Sequence, residues 1–163
     1  MPAARLEDLH RRAAENFRSG CRRAPEILPA DDLEFLRSQG IRPQVAYDFA
    51  EDFVKYGEPT AGEFLRVAEI RRDYFLGPLG GIFPAVVCEP DLPRKTDELG
   101  GIPWLGRILV KARCFLEGSL CDEVMYGCSG DRAFLKQHNL SLPGFLEIVR
   151  DAPAVLAPPT PRR

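Results

Sequence analysis

Apolar residues recur along most of this chain at the spacing of an amphipathic helix. In the first segment, Leu6, Leu9, Ala13 and Phe17 form one apolar stripe among charged residues. Gly20 follows the last of these positions, and glycine readily ends a helix. The pattern therefore predicts an N-terminal helix that ends near Gly20.

Turn-forming residues indicate where the next helices begin and end. Asp31 or Asp32 is expected to cap a short helix, which Gly40 ends in a left-handed conformation. Pro43 suits the first turn of the following helix, because proline lacks the N–H group that this turn leaves unpaired. Helix, tight turn and helix together predict a helix-turn-helix hairpin.

Further helices have recognisable start signals. Thr60 followed by Glu63 fits a capping box, and the helix that it opens runs to Gly77. Pro103, with Trp104 beside it, is expected to start a strongly amphipathic helix. A short helical turn is then expected after a serine cap at position 119.

The segment at residues 77–101 breaks this regularity. It is rich in glycine and proline, and only Ile82–Phe83 and Ala85–Cys88 look extended. We expect an irregular Gly/Pro-rich crossover with one or two short strands at most. The last residues, 153–163, are rich in proline and predict a flexible tail.

A second helical hairpin resembles the first one. The segment DLEFLRSQGIRPQVAYDFAED at residues 32–52 aligns without gaps on DRAFLKQHNLSLPGFLEIVRD at residues 131–151. Asn139 takes the place of Gly40 as the left-handed stop, and Ser141 is expected to begin the last helix. Either a duplication or the common features of two helical hairpins would account for the match.

These patterns together predict an all-α fold. We expect a single-domain bundle of about six to eight helices over residues 1–152, with two helix-turn-helix hairpins and the crossover at residues 77–101. The length of 163 residues suits one domain with a core of its own.

Composition narrows the functional classes. With 22 Lys and Arg against 24 Asp and Glu, the net charge of -2 gives no basic field for nucleic acid or an anionic membrane surface. No apolar run approaches the roughly 20 residues of a membrane-spanning helix, and the N-terminus lacks the apolar core of a signal peptide. The five cysteines, an odd number, fit free thiols in a reducing compartment. We expect a cytoplasmic protein without a nucleic-acid or membrane partner.

Three segments of the chain are distinctive, namely DFAEDFVKYGEPTAGEFLRVAEIRRDYFL, DELGGIPWLGRILVKARCFLEG and MYGCSGDRAFL. In these segments, and over roughly residues 32 to 151, the chain resembles an uncharacterised bacterial family catalogued as domain of unknown function 5069. The resemblance implies a bacterial cytosolic protein with a compact helical unit. It implies no particular activity.

Cys128 is the strongest candidate for chemistry. It lies between Gly127 and Ser129, just before a helix that Asp131 is expected to begin. A thiol near a helix N-terminus meets unpaired N–H groups, which favour the thiolate and suit a nucleophile or a redox sensor. The alternative is that Cys128 fills a small apolar gap, because buried free cysteine is common. His138 would serve as a base only if the following turn folds back.

A metal site is not expected from the cysteine spacing. Cys114, Cys121 and Cys128 recur every seven residues, and His138 would add a fourth soft ligand. Compact zinc sites place paired ligands closer together, and two glycines interrupt any single helix that could align the cysteines. The sequence therefore predicts neither a metal nor another cofactor.

Two predicted helices carry basic residues that suggest an anion site. Arg71 and Arg72 lie on one helix, and Arg107 and Lys111 lie on another. If these helices pack side by side, their side chains would bind a phosphate or carboxylate, with arginine supplying paired hydrogen bonds. The alternative is local ion pairing, for example between Arg72 and Asp73.

Other motifs exclude more than they support. A helix-turn-helix DNA reader is disfavoured, because the second helix of the first hairpin carries Asp48, Glu51 and Asp52, which phosphates repel. The sequence contains no phosphate-binding loop, HExxH motif or nucleophile elbow. These absences argue against an enzyme of those classes.

The sequence as a whole predicts a small binding or accessory module, with a small anion or a protein as its partner, rather than an enzyme. A self-associating scaffold is one alternative. The other is a thiol-based or anion-using protein whose site combines Arg107, Lys111, Tyr126, Cys128 and Asp131.

Overall fold

The computed structural model describes residues 2–152. The described residues contain seven α-helices and one two-stranded hairpin, which confirms the all-α class and the expected number of helices. The chain divides into two compact units, Met1–Ile82 (unit 1) and Phe83–Arg163 (unit 2). The predicted domain boundaries stay a prediction, and the tail predicted at residues 153–163 lies outside the described residues.

Unit 1 contains four helices. These are α1 (Pro2–Arg18), α2 (Ala30–Ser38), α3 (Pro43–Tyr56) and α4 (Ala61–Leu76), with a short 3-10 turn at Ala24–Glu26. Helix α1 packs on α3 and α4. The apolar stripe predicted for α1 is buried, and Leu6 and Ala13 are completely inaccessible. Burial of this stripe, more than intrinsic helix propensity, stabilises the helix.

Most start and stop signals in unit 1 are confirmed. Thr60 and Glu63 form the capping box, in which the side chain of each accepts the backbone N–H of the other. Gly40 has a φ of 75°, and a Cβ there would lie 2.6 Å from the Phe75 ring, so both backbone and packing require glycine. Pro43 begins α3 as predicted.

The predicted cap of α2 is wrong. The helix begins at Ala30 after a proline, and neither Asp31 nor Asp32 caps it with its side chain. The Asp32 carboxylate instead accepts hydrogen bonds from two residues of α1, Arg5 at 3.3 Å and Arg12 at 2.7 Å. Charge-assisted hydrogen bonds are stronger than neutral ones, so the arginines outcompete the backbone N–H groups of α2.

Unit 2 contains three helices and the β-hairpin. Strands β1 (Glu98–Leu99) and β2 (Ile102–Pro103) pair antiparallel, and α5 (Leu105–Glu117), α6 (Ser129–Gln137) and α7 (Leu142–Asp151) follow them. A 3-10 turn at Glu89–Asp91 lies within the crossover. Helix α5 packs on α7, and α6 contacts α7.

The strands in and next to the crossover lie at other residues than the sequence predicted. The paired strands lie at residues 98–103, whereas the stretch expected to be extended forms a single parallel bridge between Val87 and Leu120. The helical turn predicted after Ser119 is also wrong, since residues 120–125 form this bridge and turns. The Ser119 carbonyl accepts the Val87 N–H at 2.5 Å, so the segment satisfies its backbone groups across the bridge rather than within a helix.

Helix α5 begins later than predicted. Pro103 belongs to β2 and not to the helix, which starts at Leu105. Trp104 between them has a φ of 72°, a left-handed conformation that turns the chain from the hairpin into the helix. Such a conformation is rare for a bulky residue, and the sequence pattern could not reveal it.

The two helical hairpins have the same turn. The N–H of Ile41 donates to the Leu36 carbonyl at 2.9 Å, and the N–H of Leu140 donates to the Leu135 carbonyl at 2.9 Å. The residue before each donor is left-handed, with φ values of 75° and 56°. This combination defines the Schellman stop, and the predicted stops of both hairpins are therefore confirmed.

Candidate functional site

Unit 2 brings four of the predicted site residues together at the start of α6. Cys128 is the N-cap residue of this helix, Asp131 lies in its first turn, and Lys111 reaches both from α5. Tyr126 lies in the preceding turn, near enough for the charge of Asp131 to affect it. We name Lys111, Cys128 and Asp131 the thiol site.

The Asp131 carboxylate is the centre of the thiol site and is fully buried. It accepts hydrogen bonds from the Trp104 indole at 3.0 Å, the Lys111 ammonium at 2.5 Å and the Gly127 backbone N–H at 2.9 Å. Three donors, one of them charged, offset much of the free energy lost when the carboxylate leaves water. Asp131 thereby fixes the position of the Lys111 ammonium.

The same ammonium contacts the Cys128 sulfur. Lys111 Nζ lies 3.4 Å from Cys128 Sγ, and the Lys111 side chain is only 2% exposed, whereas Cys128 is half-buried. The ammonium donates a hydrogen bond to the sulfur, while the Asp131 carboxylate that holds the ammonium offsets part of its charge. The N-terminal end of α6 favours the thiolate. The arrangement suits nucleophilic or redox chemistry at a sulfur that solvent still reaches.

Trp104 completes the site from the other side. Its indole covers the first turn of α6, where a Cβ on Gly130 would lie 2.6 Å from the ring. This contact and the hydrogen bond to Asp131 hold Trp104 in its left-handed conformation. The sequence placed Trp104 only at a helix start and Gly130 only beside Cys128, and it did not indicate the contact between them.

Tyr126 supports the thiol site rather than lining it. Its hydroxyl donates to the Leu142 carbonyl at 2.8 Å, and its side chain is buried. Burial, with the charge of Asp131 as a second cause, raises the pKa of Tyr126 above its ordinary value. Arg132 donates to the Gly127 carbonyl at 2.7 Å, which stabilises the turn before Cys128.

Arg107, another predicted site residue, makes contacts away from the sulfur. Its guanidinium donates to both oxygens of Glu89, at 2.6 and 2.8 Å, and to the Pro93 carbonyl at 2.9 Å. The guanidinium is thus paired within unit 2, where it binds α5 to the crossover. The pair joins residues 18 positions apart, so it is not the local pairing that the sequence left open as the alternative to an anion site.

Arg71 and Arg72 lie on α4 of unit 1. Arg72 pairs with Asp73 at 2.9 Å, as the local-pairing alternative predicted. Arg71 is buried, and its guanidinium lies over the Phe75 ring, 4.8 Å from the centroid. Burial, with the nearby charge of Arg42 as a smaller cause, lowers the pKa of Arg71 to about 10. The anion site that would combine these arginines with α5 stays a prediction.

His138 does not act as a base for Cys128. The two residues are the C-cap and the N-cap of α6, and nine helical residues separate them. At about 1.5 Å per residue this separation is about 15 Å. The chain after α6 does not bring His138 back to Cys128. The His138 ring instead packs against Phe134, with 4.5 Å between the ring centroids. The condition under which His138 would serve as a base is therefore not met.

The heptad-spaced cysteines do not share a helix face, because α5 ends at Glu117, between Cys114 and Cys121. Cys121 instead approaches Cys88 and Glu123, and the two sulfurs and a carboxylate oxygen lie within 4.8 Å of one another. We name these three residues the cysteine cluster. Burial raises the pKa of Cys121 to about 12, and hydrogen bonds with Cys88 and Glu123 add to the rise. No sequence spacing indicated this cluster, because the crossover supplies one of its members.

Unit 1 repeats the arrangement around Asp131. There, Asp32 accepts hydrogen bonds from the residues 27 and 20 positions earlier, Arg5 and Arg12. Two donors to Asp131, the Trp104 indole and the Lys111 ammonium, also belong to residues 27 and 20 positions earlier in the sequence. The predicted match between the two hairpins therefore extends upstream into α1 and α5. A longer alignment would have matched Lys111 to Arg12, but the contacts of these residues with aspartate come from the structure.

No family model matches this chain, and neither a curated protein nor a solved structure matches it. The resemblance to the bacterial family therefore stays a prediction, as does the cytoplasmic location. Among the residues that the structure describes, none of the helices has the length and apolar character needed to cross a membrane.

Proposed function

We propose that this protein acts through Cys128 as a reactive thiol that small electrophiles modify, with peroxides as the first class to test. The observation that carries this proposal is the 3.4 Å contact between Lys111 Nζ and Cys128 Sγ. The thiolate is the nucleophilic form of cysteine, and a neighbouring ammonium stabilises it. This is the thiol-based alternative of the sequence analysis, and it requires no turnover of substrate.

The comparison with unit 1 supports a special role for this sulfur. An ion pair also occurs there, between Arg12 and Asp32, so the pair alone is common to both units. When the gapless match is extended upstream, the position that aligns with Cys128 is Pro29, which offers no nucleophile. The sulfur is therefore an addition to the pair in unit 2, where it contacts an ammonium that is almost fully buried.

Reaction of Cys128 with hydrogen peroxide needs no further group. The thiolate sulfur attacks one peroxide oxygen, an S–O bond forms, and the O–O bond breaks with its electron pair going to the leaving hydroxide. The products are a sulfenic acid on Cys128 and one hydroxide ion. A later thiol would reduce the sulfenic acid through a mixed disulfide, which makes the modification reversible.

The rate of modification at Cys128 tests the proposal. Mass spectrometry of the folded chain at neutral pH would follow oxidation by hydrogen peroxide and alkylation by iodoacetamide. Cys21 is an internal control, since it is also half-buried and its sulfur donates to the Arg23 carbonyl at 3.5 Å. We expect Cys128 to react about tenfold faster, which corresponds to about 1.4 kcal/mol. Equal rates would contradict the proposal.

A charge-neutral variant identifies the cause of the reactivity. Lys111→Met combined with Asp131→Asn removes the ion pair without leaving either charge buried alone. We expect the Cys128 rate to fall towards that of Cys21, with the helical circular dichroism preserved. The matched control in unit 1 is Arg12→Met with Asp32→Asn, which should leave the Cys128 rate unchanged. An unchanged rate in the Lys111 variant would show that the ammonium does not activate the sulfur.

Exposed apolar residues favour a second function, the binding of a protein partner or of another copy of the chain. Leu99 and Ile102 are 45% and 37% exposed and form a cross-strand pair on the β-hairpin. Val86 in the crossover is 46% exposed. Light scattering would detect assembly, and Leu99→Glu should return an assembled form to monomer. A monomer at every concentration would contradict the scaffold hypothesis.

A further inference from the structure

We propose that the cysteine cluster, Cys88, Cys121 and Glu123, binds a thiophilic divalent cation such as Zn²⁺. Its two sulfurs and one carboxylate oxygen lie within 4.8 Å of one another. Thiolate and carboxylate are both ligands that zinc takes in proteins, and three protein ligands leave a fourth position for water. The residues differ from those of the thiol site, so this proposal does not depend on the function proposed above.

The spacing of the ligand atoms needs only a small closure. Zn–S bonds of about 2.3 Å in a tetrahedral site place two sulfurs about 3.8 Å apart. Separations of at most 4.8 Å therefore exceed the bound geometry by about 1 Å at most. Cys88 and Glu123 are exposed, whereas Cys121 is buried. Rotation of the two exposed side chains closes the site without moving packed atoms.

Backbone hydrogen bonds hold the two sulfur-bearing segments in register. The N–H of Val87 donates to the Ser119 carbonyl at 2.5 Å, and the N–H of Cys121 donates to the Val87 carbonyl at 3.1 Å. These bonds form the parallel bridge between Val87 and Leu120. Each cysteine directly follows one member of the bridge. The backbone therefore brings the sulfurs together before any cation binds, which reduces the entropy lost on binding.

A backbone hydrogen bond restrains the segment that carries the exposed sulfur ligand. The N–H of Cys88 donates to the Asp91 carboxylate at 3.4 Å, which restrains the backbone of the exposed ligand. Asp91 also adds negative charge near the site, which favours a cation.

A disulfide between Cys88 and Cys121 is the competing use of the same sulfurs. It would consume both thiolates and give the Glu123 carboxylate no role. The convergence of a third, oxygen ligand on the pair therefore favours a cation over a disulfide. The two outcomes differ in their dependence on Glu123 and on reductant.

Cobalt(II) is a direct probe of the proposed site, because its thiolate complexes absorb in the near ultraviolet and its tetrahedral complexes absorb in the visible. The full chain, reduced with a phosphine and freed of metal by a chelator, would be titrated with Co²⁺ and then with Zn²⁺. We expect one Co²⁺ per chain and its displacement by Zn²⁺. Cys88→Ser and Cys121→Ser should abolish the thiolate band, and Glu123→Gln should weaken binding about tenfold.

Cys21→Ser is the matched control outside the cluster and should keep the full band. Circular dichroism of each variant separates loss of binding from loss of fold, and Glu123→Gln alters only an exposed side chain. Absence of stoichiometric Co²⁺ and Zn²⁺ binding would overturn the proposal, as would an unchanged band in Cys121→Ser. A Cys88–Cys121 disulfide in unreduced protein, with no metal uptake after reduction, would overturn it in favour of the disulfide.

Discussion

Replacement of Asp131 by asparagine is expected to destabilise unit 2 much more than replacement of Asp32 destabilises unit 1. The two carboxylates accept hydrogen bonds from donors at the same sequence separations. Their exposure differs, at 0% for Asp131 and 2% for Lys111, against 14% for Asp32 and 32% for Arg12. The comparison therefore sets a buried ion pair against a more exposed one at matching positions of the two hairpins.

The expected magnitudes follow from this difference in exposure. Asp131→Asn leaves the Lys111 ammonium buried without a negative partner, which costs about 3–5 kcal/mol of unfolding free energy. Asp32→Asn costs about 1 kcal/mol at most, because water screens Arg12. Arg12 also keeps a second carboxylate partner, Asp8, at 2.8 Å. The two losses should differ by at least 2 kcal/mol, as estimated from these typical ranges.

Urea unfolding can measure both losses. Trp104 is the only tryptophan of the chain and donates directly to Asp131, so its fluorescence reports the unfolding of unit 2. Circular dichroism reports the helices of the whole chain, including those of unit 1. The free energy of unfolding follows from the midpoint and the slope of each transition.

Similar losses in the two variants would refute the argument that burial sets the strength of this pair. A loss below about 1 kcal/mol for Asp131→Asn would refute it as well, because that is the range of exposed pairs. Lys111→Met combined with Asp131→Asn provides a further check. Neither charge is then buried alone, so most of the lost stability should return.

Two further predictions concern single buried contacts. Burial lowers the pKa of His10 from 6.5 to about 4. As the pH falls below 6.5, His10 therefore binds a proton in the unfolded chain but stays neutral in native unit 1, which favours unfolding. The free energy of unfolding should therefore fall by about 2 kcal/mol between pH 7 and pH 5. The His10 ring packs against Phe53 and Phe64, so His10→Phe should keep the packing. Urea titrations of this variant should show most of the pH-dependent loss removed. Gly130→Ala places a Cβ 2.6 Å from the Trp104 ring. It should cost about 1–3 kcal/mol and alter the fluorescence, whereas unchanged values would show that the ring moves aside freely.

The sequence by itself determined the helices and most of their ends. The capping box of Thr60 and Glu63 and the left-handed stop at Gly40 involve groups within a few residues of one another. A local pattern therefore contains the whole interaction. Local reasoning failed where a distant group competed successfully, as when Asp32 bound Arg12 on α1 instead of capping α2.

Tertiary structure alone decided which side chains meet and how deeply they are buried. Lys111 and Asp131 come together because α5 and the start of α6 are neighbours in the fold, and Cys88 reaches Cys121 through one backbone bridge. Neither contact follows from the spacing of residues within a single helix. Burial has the same origin, since the surroundings leave the Lys111–Asp131 pair almost inaccessible and the Arg12–Asp32 pair partly exposed. Because burial determines how strongly charged groups interact, the electrostatic environment of Cys128 depends on the packed structure.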